Sequence, residues 1–343
     1  MRILAFETSC DDTSIAIFEN EKLIAMETAS QIKIHNITGG VVPEVAAREH
    51  ANSIFGVLNN VLKKAEKSLE EIDYIGVTTN PGLLPSLLTG ITVANSISTI
   101  LKIPIIKINH IESHIFANYL ERSENDIKFP SICLTVSGGH NEIYLLKNMW
   151  DFELIGQTDD DSAGEAFDKV AKMMGLGYPG GPIISKLAKK YKEKNKEKEI
   201  FENDMENKPL FPRVWLIKKE SNFSFSGLKS AVKREIDKRG KLNENDKEEI
   251  SFEFENAVCE VLSYKLVNSA KKRNINTILL AGGVSSNEKL KKMIEIHAKK
   301  EKLNFIYPVK PIYSTDNAAM VGINTFYKIK YNKYKKNTFL LKI

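Results

Sequence analysis

Apolar and polar positions alternate along this chain in short blocks, and the blocks predict strands set between helices. Arg2 to Phe6 is mainly apolar, Glu7 to Thr13 is polar and rich in hydroxyls, and Ser14 to Phe18 is apolar again. That order predicts a strand, a turn and a second strand. Leu23 to Glu27 supplies a third, and Pro43 opens a helix running toward Glu66. Tyr74 to Thr78 is a strand, Asn80-Pro81-Gly82 a turn, Leu83 to Leu101 a helix and Ile105 to Ile108 a further strand. Strands alternating with helices predict an α/β fold with a largely parallel sheet covered on both faces.

The second half repeats the plan. Ser131 to Val136 and Asn141 to Leu146 are strand-like and flank Ser137-Gly138-Gly139-His140, whose glycines let backbone approach a phosphate closely. Thr277 to Ala281 is a strand, followed by Gly282-Gly283-Val284-Ser285-Ser286-Asn287 and a helix from Glu288. A glycine-rich turn leading from strand to helix suits a nucleotide phosphate. Two such openings, each followed by alternating helices and strands, predict two similar lobes with a nucleotide between them. Glu165 to Asp168 begins an amphipathic helix, where capping and surface charge explain the acids locally. Its place between Ser137–His140 and Tyr178-Pro-Gly-Gly-Pro182 also lets it line the same cleft.

Length and composition narrow the class. At 343 residues and 42% hydrophobic, the chain exceeds the usual size of one core, and two lobes follow. No signal pattern opens the chain, and the apolar stretch Ile91 to Ile108 is broken by Asn95, Ser96, Lys102 and Pro104. This predicts a soluble cytoplasmic protein without a membrane partner. Three scattered cysteines, Cys10, Cys133 and Cys259, form neither a disulfide framework nor a zinc ribbon. The net charge of +5 is mild. Lys189 to Glu199 reads as a solvated helix face or a loop, whereas Tyr327 to Lys336 interleaves Lys and Tyr with no acid among them. Such a stretch suits nucleic acid or a partner surface, and a solubilising tail has the same composition.

The most concentrated chemistry lies in Asn109-His-Ile-Glu-Ser-His114, directly after an apolar strand. On a helix His110 and His114 share a face and can chelate one metal ion. A zinc peptidase would need Glu immediately after the first His. Here Glu112 lies about 200° around the helix from His110 and points away, so a metal would orient and polarise a substrate. In the first turn, backbone N–H groups with the Thr8 and Ser9 hydroxyls can meet a phosphate, and Asp11 or Asp12 a cation or reacting group. Ser, Thr and Asp also favour turns for their own sake.

Taken in order, the motifs resemble one family. Phe6-Glu-Thr-Ser-Cys-Asp-Asp-Thr13, His35 through Gly-Gly-Val-Val-Pro-Glu to Arg48 and His50, Asn109 to His114, Val136-Ser-Gly-Gly-His140, Glu165-Ala-Phe-Asp168, Tyr178 to Pro182, Phe223-Ser-Phe-Ser-Gly-Leu228, Gly282 to Asn287 and Ser314-Thr-Asp-Asn317 span nearly the whole chain. Together they resemble the bacterial-type tRNA threonylcarbamoyltransferase family, TsaD. The resemblance implies two similar lobes of the actin, Hsp70 and sugar-kinase (ASKHA) fold with the active site in the interlobe cleft. Residues 1–130 would form the N-terminal lobe, completed by a C-terminal helix over 317–343, and residues 131–316 the C-terminal lobe, with a charged surface insertion near 189–208. It implies one divalent ion, Fe(2+) or Zn(2+), held by His110, His114 and Asp316. Asp316 has no local reading beyond a helix N-cap before Asn317.

The same resemblance makes Thr135, Val136, Ser137, Gly138, Gly139, Asp168, Gly181 and Asn287 the binding residues for threonylcarbamoyl-AMP. Position 185 is Ser where many relatives carry Asp for a ribose contact. Asp11 is the candidate catalytic acid, ahead of Asp12, and His35, Glu44, Arg48 and His50 are assigned to shaping the cleft or admitting tRNA. The implied reaction transfers the threonylcarbamoyl group to N6 of the adenosine 3′ to the anticodon in tRNA. The implied partners are a smaller TsaB-type paralogue of the same fold and a TsaE-type P-loop ATPase. Two alternatives stand beside it: a small-molecule kinase of the same fold, which would use ATP and Mg(2+) without His110 and His114, and a noncatalytic nucleotide-gated scaffold.

Overall fold

The polar stretch after Phe6 turns the chain back on itself, so β1 (Arg2–Glu7) pairs antiparallel with β2 (Asp12–Glu19), placing Phe6 opposite Ile15. In the computed structural model, which describes residues 1–195, 209–215 and 221–334, this hairpin founds the first of two units. That unit comprises Met1–Glu124 and the chain from Pro308 onward. β3 (Lys22–Ser30) runs antiparallel to β2, and α1 (Ile32–Thr38) and α2 (Pro43–Ala65) follow. β4 (Tyr74–Asn80) lies parallel beside β1, and after α3 (Leu84–Leu101) β5 (Ile105–Asn109) lies parallel beside β4. The sheet order is β3-β2-β1-β4-β5, and α4 (His110–Phe116) leaves the end of β5. Leu4 and Phe6 of the central strand join Ile54, Val57, Leu58, Leu87 and Ile91 of α2 and α3 in one core.

The expectation of a largely parallel sheet is therefore corrected to a mixed one. Three strands come in succession with turns too short for a crossover, and only the last two follow helices. A second correction concerns α3. Its 18 residues, Leu84–Leu101, are long and apolar enough to cross a membrane by length and composition, so the breaks in Ile91 to Ile108 at Asn95, Ser96, Lys102 and Pro104 do not remove every candidate span. Half of that window is buried within the unit, as a core helix requires.

The second unit, Asn125–Tyr307, repeats the strand plan. β6 (Ser131–Val136), β7 (Asn141–Asn148) and β8 (Asp151–Gln157) form the antiparallel part. α5 (Ala163–Met173), α6 (Gly180–Asn195), α7 (Ser226–Arg239) and α8 (Glu244–Lys271) follow. β9 (Thr277–Ala281), α9 (Glu288–Lys300) and β10 (Asn304–Ile306) add the parallel part, giving the order β10-β9-β6-β7-β8. β8 carries no pattern in the sequence because it is an edge strand whose positions are largely exposed, Leu154 among them. Of the charged stretch read as an insertion near 189–208, residues up to Asn195 belong to α6 and 196–208 lie outside the described residues. Cys133 and Cys259 are buried.

After β10 the chain returns to the first unit as α10 (Ala318–Lys330), packed on β1, β2 and β4. Two glycines permit that approach. A Cβ at Gly322 would lie 2.3 Å from the Phe18 ring and one at Gly76 2.0 Å from the Thr325 hydroxyl. Residues 335–343, the far end of the expected C-terminal helix, lie outside the described residues.

Candidate functional site

The strand-to-helix step at Asn109 sets the first cluster. The Asn109 side chain accepts a hydrogen bond from the Glu112 N–H at 3.0 Å, which caps α4 and starts it at His110. His110 and His114 then share one face, and both are buried. Asp316 reaches them from the segment before α10. The cap of α10 is Asn317, whose side chain accepts from Met320 N–H at 3.0 Å, so the local reading of Asp316 as the N-cap is corrected. Asp316 Oδ1 lies 3.1 Å from His114 Nε2 and 3.6 Å from His110 Nε2. Donors around a tetrahedral ion with bonds of about 2.1 Å stand about 3.4 Å apart, close to the two Asp316 distances, and one donor atom from each residue lies within 4.8 Å of the others, so the group could hold one ion. Two imidazoles and a carboxylate suit iron or zinc better than magnesium or calcium, which favour all-oxygen sets. Glu112 points away, as its helical position requires, and pairs with Lys328 at 3.0 Å.

The electrostatics match a cation site. Burial pushes the His110 imidazolium toward neutrality, but the Glu7 and Asp316 carboxylates beside it prevail and raise its pKa to about 9. Burial opposes ionisation of Glu7 as well, yet contact with His110 holds its pKa below the usual carboxylate value. Burial lowers the pKa of His114, and the cationic charge of His110 works in the same direction against the Asp316 hydrogen bond. Glu7, which the sequence reading did not single out as a site residue, joins this cluster. It reads as the first polar residue of a turn, and nothing local shows that it meets a histidine 103 positions later.

The rest of that turn is anchored to α2. His50 Nε2 donates to the Cys10 carbonyl at 2.9 Å, which makes Nδ1 the acceptor for the Thr13 hydroxyl at 2.7 Å. Burial raises the pKa of Asp11, with the Asp316 carboxylate adding to it, and pushes Asp12 up to about 7. His35 is buried and bonded to Gln31 at 3.0 Å. Of the residues assigned to shaping a cleft or admitting tRNA, His35 and His50 are thus internal struts. Glu44 and Arg48 are exposed, four positions apart on α2.

The basic C-terminal stretch differs from its sequence reading. Tyr327 is buried against Phe116 and Tyr119, Lys328 pairs with Glu112, and Lys330 and Tyr331 meet Glu124. Acids distant in sequence thus neutralise Lys328 and Lys330, while residues 335 and 336 of that stretch lie outside the described residues.

In the second unit the remaining sequence-assigned residues gather at the carboxyl ends of β6 and β9, where α/β sheets place ligands. Thr135 and Val136 are buried in β6. The turn after them closes with Ser137 N–H donating to the His140 carbonyl at 2.8 Å and His140 N–H to the Ser137 hydroxyl at 3.2 Å. Gly282, at φ +86°, lies so close to Val136 that a Cβ would stand 2.4 Å from its carbonyl oxygen. Asp168 accepts the Gly180 N–H at 2.7 Å and so fixes the start of α6 beside Gly181. A Cβ at Gly138, Gly139, Gly181 or Gly283 would meet nothing within 4 Å, so these glycines border open space that a ligand can fill.

Asn287 is more committed than a simple ligand contact implies. Its carbonyl accepts from Leu290 N–H at 2.8 Å, and its amide donates to Ser185 at 3.1 Å and to Glu255 at 2.8 Å. Ser185 in turn donates to Glu255 at 2.5 Å. The carboxylate beside position 185 is therefore supplied by α8.

One five-strand plan used twice places the protein in the actin, Hsp70 and sugar-kinase class of α/β folds. T. kodakarensis HypF shares this fold, with 12% identity and a TM-score of 0.59 over 99% of this chain and 49% of that one. Sequence comparison narrows the class to one activity. Residues 22–323 match the family TsaD, tRNA N6-adenosine threonylcarbamoyltransferase. A relative described by that activity in Thermosipho africanus is 45% identical over 337 residues, covering 98% of this chain and 95% of the relative. One from Staphylococcus epidermidis is 44% identical over 327 residues, covering 95% and 91%. The chain belongs to this family of tRNA-modifying transferases.

Proposed function

We propose that the protein transfers the threonylcarbamoyl group from threonylcarbamoyl-AMP to the exocyclic N6 amine of the adenosine 3′ to the anticodon, in tRNAs that read codons beginning with adenine. The donor is a mixed carbamoyl-phosphate anhydride. The amine nitrogen bonds to the carbamoyl carbon, the carbon–oxygen bond to phosphate breaks, and AMP departs with that electron pair. The amine gives up one proton. Asp11, the acidic side chain singled out in the first turn, is proposed to accept it as the ionised carboxylate and so to act here as a base rather than as an acid. Ser137, Gly138, Gly139 and Gly283 are proposed to offer turn backbone to the adenylate phosphate, and Gly181, which also borders open space, to meet another part of the nucleotide. Thr135 and Val136 set that turn, and Asp168 and Asn287 fix α6 around the nucleotide. Glu255 supplies the carboxylate for the ribose hydroxyls where Ser185 stands. An ion of Fe(2+) or Zn(2+) held by His110, His114 and Asp316 would supply a Lewis acid for an oxygen of the donor.

The observation that carries this reading is the His110, His114 and Asp316 cluster in a chain of this family. It also favours the transferase over a kinase of the same fold, whose Mg(2+) would prefer an all-oxygen set. Incubation with synthesised threonylcarbamoyl-AMP and unmodified tRNA tests it. AMP and modified nucleoside should form in equal amounts, whereas AMP without modified nucleoside would reduce the protein to a hydrolase, and neither product would reduce it to a scaffold.

A separate expectation concerns the nucleotide. Gly283→Val should weaken threonylcarbamoyl-AMP binding about tenfold or more with the fold intact, because the new side chain enters the open space. Unchanged affinity by calorimetry would place the nucleotide elsewhere. The tRNA needs more than this chain offers. A charge of +5 spread over 49 basic and 44 acidic residues gives a weak field for a polyanion, and Lys328 and Lys330 are already paired. Efficient turnover in the cytoplasm is therefore proposed to require a TsaB-type paralogue and a TsaE-type ATPase. Multiple-turnover rates that are equal with and without those partners would contradict this.

A further inference from the structure

We propose that Glu7 is the positioning residue of the metal centre, fixing the tautomer and rotation of His110 so that Nε2 is presented as the ligand. The inference rests on the reading that His110, His114 and Asp316 bind an ion. Glu7 closes β1 and is fully buried. Its Oε1 accepts the Ser9 N–H at 2.6 Å, and its Oε2 accepts the Thr78 hydroxyl at 2.6 Å. The same Oε2 lies 3.2 Å from His110 Nδ1, and the Ser9 hydroxyl lies 3.1 Å from that nitrogen.

An ionised carboxylate only accepts, so Nδ1 keeps its proton, and it is the Nε2 proton, on the side of Asp316, that an ion would displace to take up that lone pair. Strand β1 supplies the carboxylate, β4 the hydroxyl and the first turn the amide, so three separate backbone positions hold it in place. A carboxylate this deeply buried needs such compensation. When the ring is a ligand, the carboxylate makes it more basic and costs no rearrangement on binding. His114 has no such support among the described residues, where its buried Nδ1 meets no hydrogen-bond partner. The two histidines are therefore unequal, and His110 is the one held ready.

Two measurements on the zinc-loaded full chain test this. Nitrogen-15 spectra of labelled histidine should show His110 protonated at Nδ1, a readout that needs no substitution. Competition with a chromophoric chelator should show Glu7→Gln binding zinc about 10- to 100-fold more weakly, at native circular dichroism. Thr78→Val, which removes only the hydroxyl behind Glu7, should show a smaller loss. A proton on Nε2 of His110, or unaltered zinc affinity in folded Glu7→Gln, would overturn the proposal while leaving the metal reading intact. Wild-type protein that takes up no ion would overturn both.

Discussion

Purified protein carrying His110→Ala and His114→Ala together should retain under about a tenth of the transition metal bound by the wild type, and its transfer rate should fall on the order of 100-fold or more. Two of the three clustered donors are then gone, and Asp316 alone offers one oxygen. The substitutions leave a cavity lined by Glu7 and Asp316, so the fold must be checked by circular dichroism before the metal is counted. Chelation of the wild type followed by readdition of zinc or iron should reproduce and then reverse the loss. Full metal content in the folded double variant would remove these histidines from the centre.

The second large effect is expected at Asp11. Asp11→Asn keeps the size of the side chain but cannot take a proton, and single-turnover transfer should slow by about 10²- to 10⁴-fold. Burial, with the carboxylate of Asp316 nearby, has already raised the pKa of Asp11, which brings it nearer the working pH of a base. Binding of threonylcarbamoyl-AMP by calorimetry should be unaltered, which separates a proton-transfer role from a structural one. A wild-type transfer rate in Asp11→Asn would move the proton acceptor elsewhere, with Asp12 next to be examined.

What could be read from the sequence follows how locally each feature is encoded. Strands such as β6 and β9 are mainly apolar and buried at every position, and the turns that follow them carry glycines, so both were legible. The pairing of His110 with His114 is a matter of helical spacing and needed no tertiary knowledge. Asp316 is different, because only the return of the chain after β10 brings it to the histidines, and the family resemblance alone pointed to it. The exposed edge strand β8 lacks a buried face and left no alternation to detect. The lysines near the C-terminus looked unopposed because Glu112 and Glu124 meet them only in space. Glu7 was invisible for the same reason, since its meaning depends on Thr78 and His110 in other elements. The Glu255 carboxylate beside Ser185 was not legible for the same reason, since α8 brings it there only in space.

The most direct test of the account is a single turnover with threonylcarbamoyl-AMP labelled with carbon-13 at the carbamoyl carbon. Protein and the two partners would be in excess over unmodified tRNA, and the digested nucleosides read by mass. The account predicts that adenosine 3′ to the anticodon gains a threonylcarbamoyl group carrying the label, and that omitting this chain abolishes the gain. Unmodified adenosine with the label released to water, or modification that proceeds equally without this chain, would contradict it.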